Sequence, residues 1–185
     1  MHEFFLKHLE GKKVLVWFLI SSAVYGTMAV FTLPRLQMLA NGLQLFDVKM
    51  DGYTPEYALR LLLALGQEGR HIYLTQQMPL DMLYPFTFAV SNSLIIAWLL
   101  HKLNWFESPA FYLVLLPIVG GLLDYFENFT VITMLLQFPD VSTPIAELAN
   151  MFTRTKLLVS IPAFVSLIVL LIILLVKTLI KLEKK

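Results

Sequence analysis

Long apolar stretches dominate the sequence, and their lengths predict helices that cross a membrane. An α-helix rises about 1.5 Å per residue, so about 20 apolar residues span the hydrocarbon core of a bilayer. Four stretches meet this requirement, and the predicted spans are residues 14–33, 80–100, 109–136 and 156–177. The pattern predicts an all-α fold, a polytopic membrane protein built as a four-transmembrane-helix bundle, with residues 1–185 as a single membrane domain.

The segment between the first two spans carries the signals of a further helix. Thr54 suits an N-cap and Pro55 suits the first helical position. Apolar residues then recur at helical spacing beside charged ones, which predicts an amphipathic helical outer loop over about residues 55–75, broken near Gly66 or Gly69. We expect this helix either to lie on the outer leaflet as a lid or to cover the bundle as a plain loop.

The composition supports a membrane location and excludes several functions. The chain is 58% hydrophobic and 15% charged, whereas an ordinary soluble domain is about 25% charged. Its net charge of +1 gives no sign of the basic face that nucleic-acid binding requires, so no nucleic-acid partner is predicted. The absence of cysteine excludes disulfides, thiol redox chemistry and Cys-ligated metal centres. No cofactor is predicted, and the sequence does not determine the oligomeric state.

The histidines are also in the wrong places for a metal centre inside the membrane. All four, His2, His8, His71 and His101, fall outside the predicted spans. An intramembrane haem or histidine-rich di-iron site would have no histidine ligands there. We therefore predict no metal site.

Lysines are concentrated beyond one set of span ends. An even number of spans puts both termini on the same side of the membrane, and eight lysines share that side. They are Lys7, Lys12, Lys13, Lys102, Lys177, Lys181, Lys184 and Lys185. The positive-inside rule makes that side cytoplasmic, which predicts a multi-pass protein of the cell (inner) membrane with both termini in the cytoplasm. The opposite loops hold six basic residues, Lys156 among them.

Ionisable residues interrupt the apolar pattern of the third span. Asp124, Glu127 and Asn128 lie within it. A carboxylate at the centre of a membrane helix costs roughly 2.5 to 3.5 kcal/mol on insertion scales, and such groups usually mark a functional site. Two carboxylates three residues apart repel each other in a low dielectric, so one is expected to hold a proton at neutral pH. We interpret Asp124 and Glu127 as a catalytic acid and base, or as a cation-binding pair.

Polar residues of the second span share one face of its helix. Asp81, Tyr84 and Asn92 recur at helical spacing. Counting inward from outer ends near residues 80 and 136 places Asn92 level with Asp124. This stripe is therefore predicted to face the carboxylates of the third span.

Two further residues extend the predicted ligand site. The same count places Tyr25 of the first span near the level of Glu127. Arg70 precedes the second span and could reach Asp81 or Glu127 as a bidentate ion pair, meet a lipid phosphate, or remain an exposed loop arginine. We predict the following ligand-binding residues: Asn128, Asn92, Tyr25, Tyr84, Asp81 and Arg70.

Three short segments carry a resemblance to a known group of proteins. They are Gly66–Tyr73, Asp81–Pro85 and Asp124–Asn128. In these segments the chain resembles an uncharacterised group of small bacterial multi-pass membrane proteins. The resemblance implies a multi-pass membrane fold and names no activity.

Three functions are compatible with the pattern. The first is an outward-opening intramembrane polar cavity that binds, and in its stronger form chemically modifies, a membrane lipid or other amphipathic small molecule. The second is a non-enzymatic structural or assembly subunit whose buried polar network only fixes helix packing. The third is a small proton-coupled transporter, although the chain shows no inverted half-repeat of the kind many transporters have. Whether the protein is an enzyme is left open by the sequence.

Overall fold

Helices make up all the regular secondary structure that the described residues form. The computed structural model describes residues 2–183, apart from the side chain of Phe4. The α-helices are α1 (His2–Leu6), α2 (Gly11–Thr27), α3 (Leu33–Leu39), α4 (Pro55–Ile72), α5 (Met78–Leu103), α6 (Leu115–Gln137) and α7 (Thr143–Glu183). Lys184 and Lys185, which contribute to the predicted cytoplasmic side, lie outside the described residues.

Shorter turns connect or extend these helices. Two π-helical turns, Met28–Thr32 and Tyr73–Gln77, join α2 to α3 and α4 to α5. Two 3₁₀ turns, Phe46–Val48 and Pro109–Val114, lie in the segment before α4 and at the start of α6.

Four helical segments are long and apolar enough to cross a membrane. They are Gly11–Leu39, Pro55–Leu103, Pro109–Gln137 and Thr143–Glu183. This confirms the predicted all-α four-helix membrane fold. Three of the segments extend well past the predicted spans, because a helix continues wherever its backbone and packing allow, whether or not its residues are apolar.

Helix α4 begins and bends where the sequence predicts. The Thr54 hydroxyl accepts a hydrogen bond from the backbone N–H of Tyr57 at 3.3 Å, which caps the helix. Gly66 breaks it with φ 62° and ψ −173°, a conformation essentially restricted to glycine. Helix α4, the expected lid, is more deeply buried than a helix lying on the membrane surface would be. Its apolar face packs into the protein core, with Leu61 and Leu62 fully buried, and its end continues into α5.

Two hydrophobic cores lie at opposite ends of the bundle. We name the end that holds α3, α4 and residues 40–54 the capped end, and the end that holds α1 and the last residues of α7 the terminal end. The core at the capped end includes Leu36, Phe46, Leu61, Tyr73 and Met134. The core at the terminal end includes Phe5, Leu99, Leu103, Phe111 and Leu170. Buried polar side chains, among them Gln77, Asp81, Glu127, Asn128 and Thr153, lie on α5, α6 and α7 and in the adjoining π-helical turn.

Candidate functional site

A nearly buried lysine on α7 contacts three carboxylates. Lys156 Nζ lies 2.8 Å from Asp124 Oδ1 and 3.9 Å from Asp47 Oδ1, and it also contacts Glu127 Oε2. Removing four ionisable groups from water is costly unless each finds a charged or hydrogen-bonding partner. We name these four residues the ion-pair centre.

The antiparallel packing of α6 and α7 builds most of this centre. Asp124 and Glu127 are three residues apart on α6, as Thr153 and Lys156 are on α7, so each pair shares one helix face. The two faces are joined by two side-chain contacts. Asp124 contacts Lys156, and one turn further on the Thr153 hydroxyl donates to Glu127 Oε1 at 2.6 Å.

The capped end supplies the rest of the centre. Asp47 comes from the 3₁₀ turn before α4, and its Oδ2 accepts a hydrogen bond from the Tyr73 hydroxyl at 3.2 Å. The Tyr53 hydroxyl oxygen lies 3.4 Å from Thr153 Oγ1. Burial raises the pKa of Tyr53 above its ordinary value, so this hydroxyl stays neutral. The centre therefore joins residues 40–54 to α6 and α7.

The centre is enclosed but not sealed. The Glu127 side chain is fully buried, whereas 14% of Asp124, 15% of Lys156 and 19% of Asp47 remain exposed. Asp124, Lys156 and Asp47 thus keep a partly exposed side, whereas Glu127 is shielded from the surface.

A second buried network adjoins the first. The Thr32 hydroxyl donates to Gln77 Oε1, and Gln77 Nε2 donates to Asp81 Oδ2 at 3.4 Å. Asn128 Nδ2 donates to the Asp81 carbonyl at 2.7 Å, while Asn128 Oδ1 finds no hydrogen-bond partner among the described residues. Thr32 and Gln77 both belong to π-helical turns, a distortion that recurs at functional sites.

Acidic groups outnumber basic ones in this region. Asp81 is within electrostatic reach of Asp47, Asp124 and Lys156, which makes four acidic side chains around one lysine. One oxygen from each of Asp47, Asp124 and Glu127 lies within 4.8 Å of the others, a spacing that suits a cation. The Lys156 ammonium contacts all three carboxylates and so acts as that cation.

Asn92 is not level with the carboxylates as predicted. Asn128 bonds to the backbone of Asp81, so this register of α5 and α6 places Asp124 opposite about residue 85. Asn92 is seven residues further along α5, roughly 10 Å away at the helical rise, and it donates to the Phe88 carbonyl of its own helix. The prediction was wrong because residue 80 is not a helix end: the helix continues past it towards the break at Gly66.

Tyr25 and Tyr84 lie together at the edge of the centre. Their ring centroids are 5.5 Å apart, and Tyr84 is within electrostatic reach of Asp124. Tyr25 is 52% exposed, so it lies on the outer surface of the bundle. It is twelve residues after Lys13 and ten before Arg35, about 18 and 15 Å along the helix. The centre is therefore level with the middle of the first apolar helix.

Arg70 does not contact Asp81 or Glu127, the partners that the sequence suggested. Its guanidinium donates to the Leu62 carbonyl at 2.7 Å and stacks 3.8 Å from the centroid of the Phe138 ring. The helix is kinked at Gly66, between Leu62 and Arg70, and the Leu62 carbonyl gives the arginine a local partner across the kink. Arg70 stabilises the kink of α4 rather than the polar region.

The sequence reasoning missed Lys156, Asp47 and Thr153. Lys156 was counted among the loop charges because the fourth span was predicted to begin there, but α7 begins thirteen residues earlier. A usable signal was present, since Ala146, Ala149 and Thr153 lead to Lys156 at helical spacing and all three are buried. Asp47 carried no comparable signal, because only the fold brings residues 40–54 against α7.

Comparison with protein families, curated proteins and solved structures finds no match to this chain. The class is therefore set by the fold, which is that of an all-α, multi-pass membrane protein. The resemblance to a group of small bacterial membrane proteins stays a prediction.

Proposed function

We propose that the protein binds an amphipathic molecule with a positively charged head group, such as a long-chain amine, at the ion-pair centre. One observation carries this proposal: three carboxylates contact a single lysine, and a fourth, Asp81, lies within electrostatic reach of the same lysine. Surplus negative charge in a poorly solvated region is unfavourable unless a proton or a cation compensates it. A cationic head group entering beside Asp124 and Asp47 would supply that compensation.

The surroundings of the centre suit the apolar part of such a molecule. The Tyr84 ring is 5.7 Å from the Phe88 ring, which is 5.6 Å from the Phe164 ring of α7. These aromatic rings run from the centre towards the terminal end along the surface of α5. A hydrocarbon tail would lie along this surface with its head at Asp124.

The same surplus of carboxylates supports the stronger version of the proposal, in which the bound molecule is modified. Asp124 is accessible and Glu127 is buried behind Lys156, so the two carboxylates have different environments. Such a difference is what separates an acid from a base in known sites. Asp124 and Glu127 are accordingly the residues through which a proton would pass to or from the ligand.

The test compares two ligands with the same tail. Oleylamine and oleyl alcohol differ at the head group, and each is added to the purified protein in mild detergent while the melting temperature is measured. We expect the amine to raise the melting temperature more than the alcohol does. We expect Asp124→Asn to reduce that difference, and Glu68→Gln, whose partner is the exposed Arg35, to leave it unchanged.

Each variant is its own reference in this design, because the quantity compared is the difference between the two ligands. A general loss of stability in Asp124→Asn therefore does not mimic a loss of binding. Equal effects of amine and alcohol on the wild type would refute the cationic head group. An amine preference that survives in Asp124→Asn would place the binding site elsewhere.

A structural role is the second candidate, and one observation favours it. Asp47 and Tyr53 belong to the capped end, and their contacts with Lys156 and Thr153 hold residues 40–54 against the bundle. In a purely structural network, Asp47→Asn would expose residues 40–54 to protease and no ligand would protect them. Protection of the wild-type segment by oleylamine but not by oleyl alcohol would favour binding instead.

A further inference from the structure

An apolar groove lies on the side of α5 that faces α2 and α6. Its volume is about 480 Å³, within the range of roughly 300 to 1,000 Å³ typical of ligand pockets. Small residues, Ala89 of α5 and Gly121 of α6, form its floor, and large ones, Trp17, Phe86 and Leu122, form its walls. None of the four ion-pair residues lines it.

The groove opens sideways along the apolar surface of the protein. Phe86 is 50% exposed and Leu122 is 53% exposed, so its rim is accessible from outside the bundle. The lining residues of α5 extend from Pro85 to Leu94, nine residues or about 14 Å. An apolar groove of this length fits part of a hydrocarbon chain.

Basic residues mark the terminal end of the groove. Phe5 and His8 line that end, and Lys13 is one helical turn from Trp17 on the same face of α2. The segment Lys7–Lys13 holds three lysines against one glutamate, a net charge of +2 without His8. All three lysines are exposed, and Glu10 pairs with one of them, Lys13.

The start of α2 adds backbone donors to this charge. Helix α2 is 17 residues long and its N-cap residue, Glu10, makes no capping hydrogen bond with its side chain. The first backbone N–H groups of a helix lack partners within the helix and favour an anion, as does the helix dipole. Positive charge, free amides and an apolar groove thus occur together at one place.

We propose that this groove binds an anionic phospholipid, with one acyl chain between Trp17 and Leu122 and the phosphate at the start of α2 beside Lys12 and Lys13. The charge selects the head group, because polybasic segments attract anionic lipids whereas zwitterionic lipids carry no net charge. The small floor residue Ala89 leaves room for the chain, because a larger side chain at this position would extend into the groove. This site is independent of the ion-pair centre and of the function proposed for it.

Native mass spectrometry of the protein released from detergent tests this site. The probes are phosphatidylglycerol and phosphatidylcholine with identical chains. We expect the wild type to retain phosphatidylglycerol preferentially. Lys12→Gln with Lys13→Gln should lower that preference on the order of tenfold or more, as the loss of two interfacial lysines implies. The matched control is Arg35→Gln with Arg60→Gln, which removes two exposed charges at the capped end and should leave the preference intact.

A second variant tests the groove itself. Ala89→Trp should fill the floor and lower retention of both lipids, whereas Leu158→Trp, at a position of α7 that is 73% exposed, should not. Equal retention of the two lipids by the wild type overturns the proposal, as does full retention by Ala89→Trp. A change from dimer to monomer in Ala89→Trp would also overturn it, because the groove would then be an interface between two copies.

Discussion

At the scale of single residues, Lys156 decides the charge balance of the molecule's interior. Its ammonium is the cation that Asp47, Asp124 and Glu127 contact together. Removing one partner of a buried ion pair leaves the other uncompensated, which is more costly than never having had the pair. The lysine is therefore the residue whose loss the centre tolerates least.

Lys156→Met tests this dependence, since methionine keeps an unbranched chain and removes the charge. We expect a loss of about 3 to 5 kcal/mol in the free energy of unfolding, because three carboxylates lose their counterion. Denaturant titration in mild detergent measures it. Lys181→Met, at an exposed position in the last turn of α7, should change stability by less than about 0.5 kcal/mol.

A double variant separates charge from packing. Adding Glu127→Gln to Lys156→Met removes the fully buried carboxylate and should recover part of the lost stability. If the double variant is less stable than Lys156→Met by the full cost of Glu127→Gln alone, the two residues do not interact, and the ion-pair interpretation fails.

The surplus of acidic groups makes a second residue-scale prediction. Four acidic side chains and one lysine cannot all be ionised in a poorly solvated region without a large cost, so at least one carboxyl group should be protonated at pH 7. Infrared spectroscopy of the protein in lipid should show a protonated carboxylic-acid band at pH 7. Asp81→Asn or Asp124→Asn should weaken the band, and its absence from the wild type at pH 7 would contradict the prediction.

At the scale of helices, small residues on α6 determine how closely its neighbours approach. A Cβ added at Gly121 would lie 2.9 Å from the Pro85 carbonyl oxygen and 3.2 Å from Ala89 Cβ. A Cβ at Gly120 would lie 3.2 Å from Ser160 Oγ. Glycines at membrane helix interfaces allow this kind of close approach. The pair therefore fixes α6 between α5 and α7, which brings Asp124 to Lys156.

Gly121→Ala should push α5 and α6 apart, because the new methyl group meets backbone that cannot rotate away. We expect a loss of about 1 to 3 kcal/mol in the free energy of unfolding. Gly26→Ala is the matched control, since a Cβ there has no atom within 4 Å, and alanine favours the helix by up to about 1 kcal/mol. Denaturant titration compares them. A Gly121→Ala variant as stable as Gly26→Ala would mean that the α5–α6 contact can relax.

The predictions for individual helices succeeded where local signals are strong. The cap at Thr54 and the break at Gly66 follow from the chemistry of single residues, and both are observed. The start of α7 failed because hydropathy reports the apolar stretch, not the helix. Residues 143–155 are helical but only partly apolar, so a hydropathy criterion leaves them out and starts the span at residue 156.

At the scale of the whole molecule, the two ends of the bundle differ in what covers them. The capped end holds α3, α4 and residues 40–54 around a core of its own, whereas the terminal end holds α1 and the basic residues near both ends of the chain. Lys177 belongs to this group, and its ammonium donates to the Leu103 carbonyl at 3.3 Å. This uneven distribution of lysine is the basis for predicting a cytoplasmic terminal end.

The orientation can be tested cleanly because the chain has no cysteine. Single cysteines at Asp140→Cys and Glu183→Cys place one exposed thiol at each end of the bundle. We expect a membrane-impermeant thiol reagent to label the first variant on intact cells and the second only after permeabilisation. The reverse pattern would put the end of α7 outside, and labelling of both on intact cells would contradict a membrane crossing by α7.

The sequence by itself determined the membrane class, the four helices and the presence of Asp124, Glu127 and Asp81 within the apolar helices, because hydropathy and the cost of charge in an apolar segment are local properties. It could not determine which groups pair with these carboxylates. Asp47 and Lys156 are 109 residues apart, and only the folding of residues 40–54 against α7 brings them together. The register of α5 on α6, which excludes Asn92 from the centre, depends on side-chain packing across two helices. Tertiary structure decided the partners, because a contact between distant segments leaves no periodicity in the chain.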